Sequence, residues 1–397
     1  MKPLTPIRPV LATLLLLAAC ASRATAPGTA ASVATAAPQA LPSGRGSVPF
    51  VYVAGYRPEI LIFRLDVEAA TLTPVGRADG GRQPSYLAID KEARFLVAAN
   101  EVDAGRVTAF AIDARTGGLT RLNDASSGGF GPAHVSIDGS GRFVLAANYA
   151  GDKPGSVAVL PIGPDGRLAE PVARHEFGPK TMPHFITVDP TNRFVFVPCK
   201  GGPYVAQQRF DAATGKLIAN QPDRMAAAAG AGPRHMAFHP NGGFAYVINE
   251  QAFTIAVYRY DQQTGQLTEV ETVATLPADV KDTKGFSTAD IHVHPSGKWL
   301  YGSNRGHNSI VQFAIDPASG RLTLVGHEGR GIAKPRNFHI DPSGRVLLVA
   351  NQDSASVTLF RIDGTSGRLA PAGEPVPAGL KPSFVGVALL KGPTAAP

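Results

Sequence analysis

Short apolar runs alternate with polar turns along this chain, and the pattern repeats. The stretch "GPRHMAFHPNGGFAYVINE" (Gly232–Glu250) reads as two strands around a turn. It has relatives in "QPSYLAIDKEARFLVAANE" (83–101), "GPAHVSIDGSGRFVLAANY" (131–149) and "MPHFITVDPTNRFVFVPCK" (182–200). Two more follow, "STADIHVHPSGKWLYGSNR" (287–305) and "KPRNFHIDPSGRVLLVANQ" (334–352). The residue at the proline position falls at 84, 132, 183, 233, 288, 335 and 382, a period of about fifty. Behind each unit comes a second hairpin, as in "VTAFAIDARTGGLTRL" and "IVQFAIDPASGRLTLV", with Asp and Gly supplying the turn.

Each repeat is therefore four antiparallel strands, the make-up of a propeller blade. The unit at Pro382 stops after "KPSFVGVALL", and its three missing strands stand at the other end: "PFVYVAGY", "ILIFRLD" and "LTPVG". The expected fold is an all-β, seven-bladed β-propeller over residues 48–391, its last blade assembled from both termini. Closing the ring this way removes the free sheet edges of a linear array.

Composition agrees: 43 Gly and 34 Pro supply turns, and 44% hydrophobic residues supply a core. The formal charge of +7 is scattered with no basic run, so nucleic acid is not expected as a partner. At the N-terminus, Lys2 and Arg8 precede an apolar run from Val10 to Ala19 that is too short to span a bilayer. It ends in Leu17-Ala18-Ala19-Cys20, which resembles a bacterial lipobox. Residues 1–20 are expected to be a lipoprotein signal, with Cys20 as the lipidated residue. Residues 21–47, mostly Ala, Thr, Pro, Ser and Gly, should form a flexible tether, and 392–397 a tail. The expected address is the periplasmic side of the cell envelope, at the outer membrane by analogy from Ala21. Membrane contact would be through the lipid alone. Cys199 is the one other cysteine, so an intrachain disulfide needs Cys20 and is not expected.

Innermost strands line a propeller's channel, so the residues just after each anchor meet the residues seventeen after it at one mouth. The first set reads Ser85-Tyr86, Ala133-His134, His184-Phe185, Arg234-His235, Ala289-Asp290, Arg336-Asn337 and Ser383-Phe384. The second reads Tyr56, Glu101, Tyr149, Lys200, Glu250, Arg305 and Gln352. A scaffold does not require such blade-specific charges. By contrast, Asn100, Asn148, Asn249, Asn304 and Asn351 recur at one position and read as turn caps. His239, His294 and His339 lie in or beside turns and read as polar filler. His292, four after its anchor, can face the channel. Histidines interleaved with arginines argue against a bound metal or other cofactor. No nucleophile elbow or Cys/His signature occurs. Arg, His and Glu around a polar pocket suit an oxyanionic substrate and a water activated by a carboxylate.

"GPRHMAFHPNGGFAYVINE", "TADIHVHPSGKWLYGSNRGHNSIVQF" and "KPRNFHIDPSGRVLLVANQDSASVTLF" resemble the seven-bladed propeller lactonases. That family includes the propeller type of bacterial 6-phosphogluconolactonase and the fungal carboxy-muconate cyclases. The resemblance implies metal-free hydrolysis, or reversible formation, of a small anionic lactone. It implies catalytic roles for His184, Arg234, Glu250 and Arg305. Glu250 would be the general base; Arg234 and Arg305 would hold the anion and offset the oxyanion; His184 or His235 would protonate the leaving ring oxygen. His235, Asp290, His292, Arg336, Asn337 and His134 are expected as further substrate contacts. One departure stands out: "VPCKGGPYV" has Cys199 and Pro203 in a region where many relatives carry Asp. The substrate thus stays open among a sugar-acid lactone, a muconate-type lactone handled by a cycloisomerase, and no substrate at all in a surface-binding propeller.

Overall fold

The computed structural model describes residues 46–379 and 381–391. Cys20, nearly all of the tether and the tail lie outside the described residues.

Seven antiparallel sheets form the ring expected from the repeat. The fourth blade is typical, running outward through Pro233–Phe238, Phe244–Asn249, Thr254–Asp261 and Gln266–Ala274. The two middle strands are apolar on both faces, because each is covered by a neighbouring blade on either side. Seven apolar clusters fill the gaps between blades. One packs Tyr246, Ile248 and Val257 against Ile291, Leu300 and Phe313 of the next blade. The closing blade has Pro382–Lys391 innermost, followed outward by Ser47–Gly55, Glu59–Asp66 and Thr71–Asp79.

Two blades depart from the pattern. In the third, the innermost strand shrinks to Thr187–Val188, with an isolated bridge from Pro183 to Cys199. In the sixth, the outer strand is split into Leu369–Pro371 and Val376–Pro377.

The recurring asparagines are structural. Asn148 Nδ2 donates to the Ser127 carbonyl at 2.8 Å and to Ser156 Oγ at 3.1 Å, tying the connector between blades to the strand beside it. Asn304 Nδ2 likewise reaches the Thr275 carbonyl at 3.0 Å. Asn148→Ala leaves the buried Ser127 carbonyl without this donor and is expected to cost about 1–3 kcal/mol. A lowered urea midpoint checks this, and an unmoved midpoint would refute the capping role. The turn glycines are needed for two reasons at once. Gly265 and Gly320 hold φ of +69° and +74°, and a Cβ on either would strike Phe194 or Phe244 of the preceding blade at 2.3 or 2.4 Å.

His239 and His294 do more than fill space. Their Nε2 atoms donate to the Gly297 and Gly344 carbonyls of the next blade, each at 2.8 Å, while Nδ1 accepts a backbone N–H from Asn241 or Ser296. They latch successive blades.

Candidate active site

Besides the shortened strand of the third blade, six innermost strands shift register just after the anchor, between Pro84 and Tyr86, Pro132 and His134, Pro233 and His235, Thr288 and Ile291, Pro335 and Asn337, and Pro382 and Phe384. A bulge breaks the two-residue alternation of side chains. Consecutive residues such as Arg234 and His235 can then both face the channel. They do so at different depths, which divides the expected site into two layers.

The upper layer is the mouth. Glu250 ends the second strand of the fourth blade, and three cations from three blades surround it. Arg234 Nε lies 2.8 Å and Arg305 Nη2 3.2 Å from Oε2, and Lys200 Nζ lies 3.1 Å from Oε1. The Arg234 contact is ionic, since the Nε–H does not point along it. Burial alone would raise the Glu250 carboxyl, but Arg234, Arg305 and Lys200 together hold it down at about 2. Arg305 also donates to the Thr288 carbonyl at 2.8 Å, and burial lowers its guanidinium to about 9, where it keeps its charge at neutral pH. His184 packs edge-on to Tyr149 at 5.5 Å between ring centroids, and its Nδ1 has no partner. Burial, then Arg234, pushes His184 well below the usual imidazole range, so it is neutral. Arg336 reaches the same mouth, 5.5 Å from the Tyr56 ring. Beneath the rim, a cavity bordered by Glu101, His184, Arg234 and Arg336 measures about 10 Å³, room for about one water.

The lower layer closes the channel. Phe384 meets Tyr86 at 4.8 Å, Tyr86 meets His134 at 4.1 Å, His134 meets Phe185 at 4.0 Å, and Phe185 meets His235 at 4.9 Å between centroids. The circle continues through His235 Nδ1 to Asp290 Oδ1 at 2.8 Å, and from Asn337 Nδ2 to Asp290 Oδ2 at 2.6 Å. It ends where the Val385 N–H donates to Asn337 Oδ1 at 2.7 Å. Below this layer a second cavity of about 510 Å³ opens at the far end of the channel.

The expected residues are therefore split. His184, Arg234, Glu250, Arg305 and Arg336 gather at the mouth, with His235 and Asn337 bordering it from beneath. His134, Asp290 and His292 do not belong there: they border the far cavity, because positions two and four after the anchor lie deeper than position one. His339 is there too, its ring 5.7 Å from His292. His235 is also unsuited to protonate a leaving group. Burial, then Arg234, lowers it to about 4, and both its ring nitrogens are engaged. Cys199 is buried in the core between the second and third blades, and burial pushes its thiol up to about 12. The residue that no motif singled out is Lys200, which grips Glu250 and donates to Tyr149 Oη at 3.2 Å. Its place in the ring of strand ends was the available signal. Among the described residues no group of three or more His, Cys, Asp or Glu is arranged to hold a metal ion.

Fold and mouth together define a seven-bladed propeller with one ion-paired carboxylate at the opening of a closed channel. The family described as "Lactonase, 7-bladed beta-propeller" matches residues 50–386, and the chain belongs to that family. It is 36% identical over 287 residues to the 6-phosphogluconolactonase of Pectobacterium carotovorum subsp. carotovorum, covering 72% of this chain and 69% of the relative. With the 6-phosphogluconolactonase of Bacillus subtilis it shares 32% identity over 296 residues, 72% of this chain and 82% of the relative. Among solved structures, the periplasmic gluconolactonase of Pseudomonas aeruginosa superposes with a TM-score of 0.80 at 29% identity, covering 87% of this chain and 100% of that one.

Proposed function

We propose that the protein hydrolyses a sugar-acid lactone bearing an anionic group, in the manner of a 6-phosphogluconolactonase. The observation that carries this is the charge at the mouth. Lys200, Arg234, Arg305 and Arg336 face two carboxylates, Glu250 and Glu101, while the imidazole of His184 is neutral. The surplus of positive charge suits a substrate that brings its own negative charge, and the guanidinium fork binds a carboxylate or phosphate at two points.

In this reading Glu250 is locked in the free protein. At about 2 it is a weak base, because base catalysis works best with a pKa near the working pH. An arriving anion competes for Arg234, Arg305 and Lys200, leaving burial to raise the carboxyl. Glu250 then takes a proton from water as the water's oxygen attacks the lactone carbonyl. Arg234 and Arg305 offset the oxyanion. When the carbonyl reforms, the ring C–O bond breaks and the alkoxide receives the proton held by Glu250. Neutral His184 donates an N–H hydrogen bond to that oxygen and does not act as a strong acid. Cyclisation of a muconate-type acid would use the same groups in reverse, so product analysis must accompany the rate.

Lys2, Arg8, the short apolar run and Cys20 support an envelope lipoprotein facing the periplasm. A structural relative is itself described as periplasmic. That address makes the comparison of phosphorylated and plain aldonolactones informative. In a pH-stat screen with and without chelator, 6-phosphogluconolactone is expected to exceed gluconolactone in kcat/KM by about tenfold or more, the worth of one charge-assisted pair. Equal rates on both would sink the anion reading, and no acid release from any lactone would sink the lactonase reading.

A further inference from the structure

We propose that Asp290 is a positioning residue for the reaction: through His235 it aims the Arg234 guanidinium at Glu250 and at the substrate above it. The kinetic part rests on the lactonase reading; the structural part does not.

Asp290 is a carboxylate buried in the layer that closes the channel, and it makes an unusual number of contacts for a group with no catalytic reach. Its Oδ1 accepts from His235 Nδ1 and from the Ile291 N–H at 2.9 Å. Its Oδ2 faces Asn337 Nδ2, the Phe338 N–H at 3.2 Å and His292 Nε2 at 3.1 Å. An ionised carboxylate only accepts, so the His235 proton must sit on Nδ1. That leaves a lone pair on His235 Nε2, and Arg234 Nη1 lies 3.2 Å from it. Arginine only donates, so this contact exists for one tautomer of His235 and for no other.

The same Nη1 donates to the Ala289 carbonyl at 2.5 Å, on the residue beside Asp290. Two acceptors, His235 Nε2 and Ala289 O, thus pin one arm of Arg234, and the pinned arm holds Nε against Glu250. In the other tautomer an N–H would oppose the guanidinium, and Arg234 would have to turn away. The Asp290 charge also lies near a guanidinium that is almost completely buried, at 2% exposure, which favours the charged form there. A residue that merely filled the channel needed neither charge nor this orientation.

Two measurements test the proposal. In the full chain with 15N-labelled histidine, two-bond proton–nitrogen correlations should show His235 with a protonated Nδ1 and an unprotonated Nε2 between about pH 5 and 8. The His235 signals are assigned by their loss in His235→Gln. A protonated Nε2, alone or in an imidazolium, overturns the proposal. In Asp290→Asn, kcat is expected to fall about 10–100-fold, the scale of a misplaced catalytic group, and KM to rise with it because Arg234 also holds the substrate anion. Ser303→Ala is the comparison, because Ser303 Oγ accepts the Asp290 backbone N–H at 2.9 Å without touching His235. It should lower the melting temperature yet keep kcat and the His235 tautomer. Wild-type kcat in Asp290→Asn, or equal losses in both variants, refutes the positioning role. Should Asp290→Asn not fold, the wild-type ring signals decide. Should no lactone be hydrolysed, the functional reading fails while those signals still report on Asp290.

Discussion

Glu250→Gln is expected to lower kcat for lactone hydrolysis by about 10²–10⁴-fold, the usual contribution of a positioned base. The amide keeps the shape of the carboxyl but cannot accept the water's proton. It also leaves Arg234, Arg305 and Lys200 without their shared counter-charge, so roughly 3 kcal/mol of stability should go with it at pH 7. The rate must therefore be referred to folded protein, measured by near-UV circular dichroism on the same samples. The sign of the stability effect follows from the direction of the shift. A carboxyl lowered in the folded state, here to about 2, stabilises above its unfolded value and loses that effect as pH falls through the folded one. The wild type's advantage over the variant should thus shrink below about pH 4.5 and vanish near pH 2.

The pH profile of the wild type carries the second half of this argument. A base works only when deprotonated, so activity is lost as pH falls. The acid limb of kcat/KM belongs to the free protein and should lie near 2, leaving kcat/KM flat across ordinary acidic buffers. The acid limb of kcat belongs to the complex, where the substrate has taken up the cations, and should lie higher. Coincident limbs would mean that the substrate does not unlock Glu250. Unchanged kcat in Glu250→Gln would remove it as the base altogether.

The ring was legible because it is written seven times. Spacing alone located the anchors, the split blade and the two sets of residues that share a mouth, Arg234 and Glu250 among them. Depth was not legible. A strand read with a period of two sends Arg234 and His235 to opposite faces. Only the bulge after Pro233 turns both inward and sets them on different levels. For the same reason Asp290 and His134 looked like rim residues and proved to be parts of the closing layer. Pairing was not legible either. Lys200 was placed in the ring of strand ends by its spacing, but its grip on Glu250 depends on the fourth blade standing beside the third. The latching of His239 to Gly297 is likewise a contact between blades, invisible to any reading confined to one repeat.

The closing blade makes the other large prediction: a chain ending at residue 381 should not fold to a stable propeller. The strand Pro382–Lys391 pairs with Ser47–Gly55 along its whole length, from Gly55 against Pro382 to Ser47 against Lys391. It buries Phe384, Val385, Val387, Ala388 and Leu390, and covers Val51, Val53, Leu348 and Ala350 in the gap to the sixth blade. Four large apolar side chains at about 1.5–3 kcal/mol each match the whole stability of an ordinary domain, about 5–15 kcal/mol. The loss also removes Phe384 from the closing layer and deprives Asn337 Oδ1 of the Val385 N–H, loosening the side chain whose Nδ2 donates to Asp290 Oδ2. Lost contacts and lost closure can be told apart. Since Lys391 lies against Ser47, residues 382–391 can be moved ahead of Ser47 with a short turn between them, making all four strands of the blade contiguous. That permuted chain should fold, because the ring still closes through packing of this blade against the blade on either side. Cooperative thermal melts of the two chains check this. A truncated chain melting within a few degrees of the parent would show that the terminal strand is not what holds the circle shut.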